Sequence, residues 1–84
     1  MAEVAIDVLL FGPLADVAQS PKVRCVLPEG ASVGDLIGRL RERYPSLGAR
    51  LDSAAVAVNL AYAGRDRALA AGDEVALIPP VSGG

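Results

Sequence analysis

This chain of 84 residues has no histidine and only one cysteine. Without histidine, its own side chains cannot assemble a Ser-His-Asp triad or a cluster of Cys and His metal ligands. One cysteine likewise excludes a disulfide bond within the chain. We therefore expect this chain to bind no metal ion and no cofactor of its own.

Blocks of basic residues and long apolar runs are also lacking. The net charge is −2, and the arginines are scattered among acidic residues, which argues against a nucleic-acid partner. We interpret Arg39, Arg41 and Arg43 as the solvated face of one helix. No apolar run approaches the roughly 20 residues of a membrane span, and Glu3 and Asp7 interrupt the stretch where a signal peptide would be apolar. We expect a cytoplasmic protein that binds neither membranes nor nucleic acids.

Alternating apolar residues are concentrated near the two ends of the chain. Hydrophobic residues make up 52% of the sequence, which is enough for one domain with a single core. Residues 3–11 predict a first strand with one fully apolar face, and residues 22–27 predict a second, antiparallel strand. Residues 55–63 predict a third strand and a short fourth one, with Asn59 in the turn between them. Residues 74–79 predict the last strand, which we expect to lie beside the first in the interior of the sheet.

The middle of the chain has the pattern of one amphipathic helix. Ser32 is a suitable N-cap with Asp35 three residues later, and Pro45 ends the helix. Residues 46–53 predict an irregular crossing with one turn of helix. The order of elements predicts an α+β roll, in which a mixed sheet carries one main helix across a face. The apolar stripe of that helix consists of Val33, Leu36, Ile37, Leu40 and Tyr44.

The sequence ends in LIPPVSGG, a stiff stem followed by bare backbone. Pro79 and Pro80 cannot donate to a sheet ladder, so they end the last strand and keep the chain extended. We divide the sequence into a folded domain, residues 1–80, and a flexible tail, residues 81–84. A narrow channel in another protein would admit such a tail, because two glycines at its tip have no side chains.

The stretch GDEVALIPPVSGG closely resembles the end of the MoaD-like small subunits of molybdopterin synthase, a family of ubiquitin-like sulfur carriers. The resemblance extends through AVAVNLAYA, through the single amphipathic helix, and to the opening strand that runs into LLFGPLAD. It implies the β-grasp fold and a sulfur-carrier subunit that is not an enzyme on its own. The partners that it implies are the large subunit of molybdopterin synthase, in a heterotetramer, and an ATP-dependent, E1-like adenylating enzyme.

The resemblance also implies the chemistry of the tail. Gly84 is expected to be adenylated with ATP that the activating partner uses, and then to be converted to a thiocarboxylate. The thiocarboxylate would donate sulfur to cyclic pyranopterin monophosphate in molybdenum cofactor biosynthesis. From the residues themselves, Leu77 and Pro79 are expected to bind a partner around the root of the tail. Phe11 is expected to do so as well, although a phenylalanine at the end of a strand is more often part of the core. The residues expected to thread the tail into that partner are Pro80, Val81, Ser82 and Gly83.

One segment departs from the family pattern. Many members carry an Arg-Glu pair where this chain has Ala15 and Asp16. We carry no site over from this segment, and the contacts that replace the pair stay open.

Several alternatives remain open at this stage. Sulfur could be carried on the thiol of Cys25, although a cysteine in the middle of a strand is more simply a small buried hydrophobe. Gly-Gly ends also occur in carriers for thiamine or cysteine biosynthesis, and in ubiquitin-like modifiers that are joined to lysines of other proteins. A purely structural binding module would make Gly83 and Gly84 dispensable. The sequence does not distinguish molybdenum from tungsten as the metal of the final cofactor.

Overall fold

A computed structural model describes residues 2–80, and the predictions for Val81, Ser82, Gly83 and Gly84 lie outside the described residues. The predicted order of the five strands and the main helix is confirmed, and a short helix also lies between the first two strands. The described elements are β1 (Glu3–Leu10), α1 (Pro13–Ala18), β2 (Lys22–Pro28), α2 (Val33–Arg43), a 3₁₀ turn (Pro45–Leu47), α3 (Gly48–Ser53), β3 (Ala55–Val58), β4 (Ala61–Tyr62) and β5 (Glu74–Ile78).

The strands form one mixed sheet in the order β2-β1-β5-β3-β4. β1 pairs antiparallel with β2 and parallel with β5, whereas β3 pairs antiparallel with both β5 and β4. The last strand therefore lies in the interior of the sheet beside the first, as the sequence predicts. β2 and β4 form the two edges of this sheet.

The core lies between the helices and one face of the sheet. The even-numbered residues of β1 from Val4 to Leu10 point into it, and its odd-numbered residues lie on the opposite face, which is more exposed. The predicted apolar face of α2 is buried at Val33, Leu36, Ile37 and Leu40. Each of these aliphatic side chains contributes about 1.5–3 kcal/mol when it leaves water.

Helix α2 begins with the predicted reciprocal cap. The backbone N–H of Ser32 donates to Oδ2 of Asp35 over 2.9 Å, and the N–H of Asp35 donates to Oγ of Ser32 over 3.2 Å. This arrangement satisfies two backbone donors that the first turn of a helix leaves without partners. It fixes the residue at which the main helix starts.

The segment after α2 is more regular than predicted. In place of an irregular crossing, it folds into the 3₁₀ turn and α3, whose side chains Leu47 and Leu51 are fully buried. Two apolar residues four positions apart are too few to produce a helical stripe in the sequence, so packing determines this helix. Within residues 2–80, no helix combines the length and the apolar character that crossing a membrane demands.

Candidate functional site

The root of the tail lies at the end of the central strand β5. Pro79 follows Ile78 directly and contacts the turn between β1 and α1, where a Cβ on Gly12 would lie 3.4 Å from Cγ of Pro79. Gly12 has a φ of +54°, a backbone conformation that glycine adopts at little cost. The turn can therefore pass close beside the chain as the chain leaves the sheet.

The uncovered face of the sheet carries an exposed apolar patch beside this root. Its most accessible large side chains are Leu60, Tyr62 and Phe11, with 94%, 79% and 47% of their surface exposed. A depression of about 280 Å³ lies among them, slightly below the roughly 300–1,000 Å³ that is typical of small-molecule sites. Large exposed apolar and aromatic side chains that lie together are typical of protein–protein interaction surfaces. The apolar patch consists of Leu9, Phe11, Ala57, Leu60, Tyr62, Ala76 and Ile78, with Glu74 at its margin.

The expectation that Leu77 binds a partner is wrong for its side chain. Leu77 is fully buried, because Val75 and Leu77 face the helices while Ala76 and Ile78 face the apolar patch. Phe11 lies in the patch, and its partner-binding role, like that of the partly buried Pro79, stays a prediction.

Leu60 and Tyr62 belong to the patch, and the sequence analysis did not single them out. Asn59 and Leu60 form the two-residue turn between β3 and β4, with φ values of 51° and 72°. Such hairpin turns need positive φ at both central residues, and Asn-Gly is their usual sequence. Leucine is an unfavourable choice there, and its side chain gains no burial in return. An apolar residue directly after a turn asparagine was the signal that could have revealed it.

Charged residues border the patch on the neighbouring strands. The carboxylate of Asp7 pairs with Nε of Arg24 at 3.2 Å and with Nζ of Lys22 at 3.7 Å. The hydrogen bond from Arg24 holds the pKa of Asp7 below its ordinary value. Leu9 and Lys22 are register partners, so this polar rim begins where the patch ends.

Cys25 lies in the core, as expected for a cysteine that acts as a small buried hydrophobic residue. Its side chain is 3% exposed and belongs to the core. Burial raises the pKa of the Cys25 thiol, so the thiol is neutral and a weak nucleophile. Within residues 2–80, no three His, Cys, Asp or Glu side chains come together as a metal site would need.

The amino-acid sequence matches known proteins over most of its length. The chain matches the model of the ThiS family over residues 8–84. It is 34% identical over 82 residues to the molybdopterin synthase sulfur carrier subunit of Mycobacterium tuberculosis, which covers 96% of this chain and 99% of that protein. It is 42% identical over 83 residues to small archaeal modifier protein 1 of Haloferax volcanii, which covers 89% of this chain and 95% of that protein.

Solved structures share the fold. The crystal structure of the Haloferax volcanii modifier superposes with a TM-score of 0.87 at 40% identity, covering 95% of this chain and 99% of that one. A chain from the complex of subunits 1 and 2 of the molybdopterin-converting factor of Helicobacter pylori superposes with a TM-score of 0.68 at 23% identity, covering 96% and 100%. At that identity the second match concerns the fold alone. The expected ubiquitin-like β-grasp fold is confirmed.

Proposed function

This chain belongs to the ThiS family, and from that premise we propose that it is the sulfur-carrier subunit of a molybdopterin synthase. The observation that carries the proposal furthest is the exposed apolar patch, which lies beside the root of the tail. A carrier must present its terminus to other proteins, and a patch at this place would dock against them. The curated relatives with the carrier name support the pathway.

The proposed chemistry takes place at the carboxylate of Gly84. This carboxylate attacks the α-phosphorus of ATP, forming an acyl-adenylate and releasing pyrophosphate. A sulfur nucleophile that the activating system delivers then displaces AMP and leaves a thiocarboxylate. The thiocarboxylate sulfur is transferred to cyclic pyranopterin monophosphate, and the carboxylate is regenerated with an oxygen from water. No step needs an acid or base from the carrier, which suits a chain without histidine.

The tail alone would hold a partner weakly. Ordering a flexible residue costs roughly 1–2 kcal/mol, and Gly83 and Gly84 have no side chains to offset this cost. Docking therefore needs contacts from the folded body, with buried aromatic and apolar anchors at the centre and charged residues at the rim. Tyr62 and Phe11 provide the anchors, and Asp7 belongs to the rim. We propose that the large subunit and the activating enzyme use this patch in turn.

A truncation tests the proposal. Purified chain lacking Gly83 and Gly84 should form no thiocarboxylate when it is incubated with the activating enzyme, ATP and a sulfur donor. Mass spectrometry of the intact full-length chain should detect the replacement of one oxygen by sulfur. The melting temperature should hardly change, because neither residue has a side chain to bury. Sulfur transfer by the truncated chain would refute the proposal.

A second function has one specific observation in its favour. The match at 42% identity is to a protein named a modifier, and isopeptide formation can start from the same acyl-adenylate. Under this alternative, Gly84 is joined to lysines of other proteins. Tryptic peptides with a glycine-containing remnant on lysine, present in cells with the full-length chain and absent with the truncated one, would establish it.

A further inference from the structure

Strand β2 forms an open edge of the sheet. The side chains of Lys22 and Arg24 border the apolar patch, whereas the unpaired backbone edge of the strand faces away from β1. In an antiparallel pair of strands, every second residue exchanges backbone hydrogen bonds with the neighbouring strand. The residues between them direct their N–H and C=O groups away from that strand. The N–H of Leu10 donates to the C=O of Pro21 over 2.9 Å. This bond shows which residues of β2 are the ones that pair with β1. Lys22, Arg24 and Val26 therefore direct their backbone N–H and C=O groups away from β1.

Only part of this edge is occupied. The hydroxyl of Ser20 contacts the N–H of Lys22 at 3.3 Å and its C=O at 2.6 Å. Nη1 of Arg43 donates to the C=O of Arg24 over 2.8 Å. Among residues 2–80, nothing else bonds the N–H of Arg24 or either backbone group of Val26. Such groups on an open edge can pair with an added strand.

A groove runs between this edge and helix α2, and its charge differs in sign from that of the whole chain. It contains three arginines and one glutamate, although the net charge of the chain is −2. Within residues 2–80, Arg39 and Arg43 form no ion pair. The groove is lined by Arg24, Cys25, Val26, Arg39, Glu42 and Arg43.

Gly38 leaves the surface of helix α2 without a side chain next to this groove. It lies in the interior of α2, it is exposed, and a Cβ there would meet nothing within 4 Å. Glycine inside a helix costs about 0.5–1 kcal/mol relative to alanine, and no contact within residues 2–80 requires it at this position. The adjoining depression beside Leu27 and Pro28 carries the acidic residues Glu29, Asp35 and Glu42. The basic part of the region is therefore confined to Arg39 and Arg43, and Gly38 leaves open space along the helix. An incoming backbone can therefore pass close to the helix.

We propose that the β2 edge and its groove are a second docking site, which takes an extended acidic segment of another protein by strand addition. The backbone of that segment pairs with Arg24 and Val26, and its carboxylates face Arg39 and Arg43. Complementary charge selects this occupant. A second copy of this chain is disfavoured, because pairing two β2 edges would bring two sets of arginines together.

Titration of the full-length chain with a synthetic peptide tests the proposal. The peptide alternates valine and threonine in its middle and has aspartate and glutamate at both ends. Nuclear magnetic resonance should show shifts at the amides of Arg24 and Val26, and their hydrogen exchange should slow on binding. Replacing Arg39 and Arg43 together by glutamate should weaken binding at least about tenfold. The same peptide with lysine at every acidic position should not bind.

Two matched pairs separate strand addition from simple charge attraction. Val26→Pro removes an N–H that β1 does not use, so it should block binding, whereas Val26→Thr should not. If Val26→Pro fails to fold, two variants of the peptide form the second pair. Each has one N-methylated backbone amide, which faces β2 in the first variant and faces away from β2 in the second. Only the first N-methylation should abolish binding.

Other outcomes would overturn the proposal. Equal binding of both N-methylated peptides would mean charge attraction without strand pairing. Shifts confined to Leu60 and Tyr62 would assign the peptide to the apolar patch. Dimerisation of the chain in sedimentation experiments, lost in Val26→Pro, would assign the edge to a second copy.

Discussion

Asn59 and Asp73 are joined side chain to side chain, from Nδ2 of Asn59 to Oδ1 of Asp73 over 2.9 Å. Oδ1 of Asn59 also accepts from the backbone N–H of Glu74 at 3.0 Å. The backbone N–H of Asn59 in turn donates to the C=O of Glu74 at 2.8 Å. One asparagine thus ties the β3–β4 turn to the start of β5. Because that turn presents Leu60, these bonds hold one side of the apolar patch against the central strand.

Replacing Asn59 by alanine should lower the free energy of unfolding by about 1–3 kcal/mol, because it removes the two side-chain hydrogen bonds of Asn59 and puts alanine at a positive φ. Urea denaturation at neutral pH measures this change. Asp66→Ala is a suitable control, since Asp66 is exposed and has no assigned side-chain hydrogen bond, and it should change stability by less than about 0.5 kcal/mol. Equal effects of the two substitutions would contradict the assigned role of Asn59.

Asp73 should make stability depend on pH. The hydrogen bond from the N–H of Ala70, at 2.8 Å, and then the one from Asn59 lower the pKa of Asp73 in the folded chain. Its contribution to stability is therefore complete above the unfolded pKa of about 3.9, and it is lost as the pH falls through the lower folded value. Asp73→Asn should be less stable than the parent at pH 7 and nearly equal to it under strong acid. A stability difference that does not depend on pH would rule this out.

Leu60→Gly should stabilise the fold and weaken docking at the same time. Glycine relieves the cost of a positive φ, worth a few tenths to about 1 kcal/mol after its own entropic cost is subtracted, and no buried contact is lost. Thermal unfolding measures the first effect. Binding to the large synthase subunit should weaken by about tenfold. Leu60→Ala separates the two effects, because it should weaken docking without adding stability.

The difference between what could and could not be predicted lies in which faces are covered. The alternation in β1 and the capped stripe of α2 predict their structures, because each element has one clearly apolar face. The two faces of β5 differ in polarity only at Glu74, which shares its face with Ala76 and Ile78. This single charge was the signal that could have assigned Leu77 to the opposite, buried face. Leu60 was missed because leucine seldom occupies the second position of such a turn, and the folded hairpin leaves its side chain in water.

Occupation of the apolar patch should be exclusive. We expect the large subunit and the activating enzyme to compete for one carrier, and Tyr62→Ala to weaken both complexes. Competition binding with the two purified partners measures this. Asp66→Ala is the control, because Asp66 is exposed and lies outside the patch. A stable ternary complex on a single carrier would exclude a shared surface.

Cys25→Ala should preserve sulfur transfer. The buried thiol is replaced by a smaller apolar group, so only a modest loss of stability from altered packing is expected. Thiocarboxylate formation and single-turnover sulfur transfer, measured beside circular dichroism of the variant, test this. A folded Cys25→Ala chain that no longer transfers sulfur would instead identify the thiol as the carrier.

The position of β5 also has a mechanical consequence. This strand is paired along its length on both sides, with Asp7–Leu10 of β1 and with Ala55–Val58 of β3. Tension on the chain beyond Pro80, as when a tail is drawn out of a tight channel, is directed along β5. The ladder bonds lie across that direction, so many of them share the load and must yield together. We expect the body to resist being unravelled from its tail, which lets a carrier be withdrawn from one partner and used again with the next.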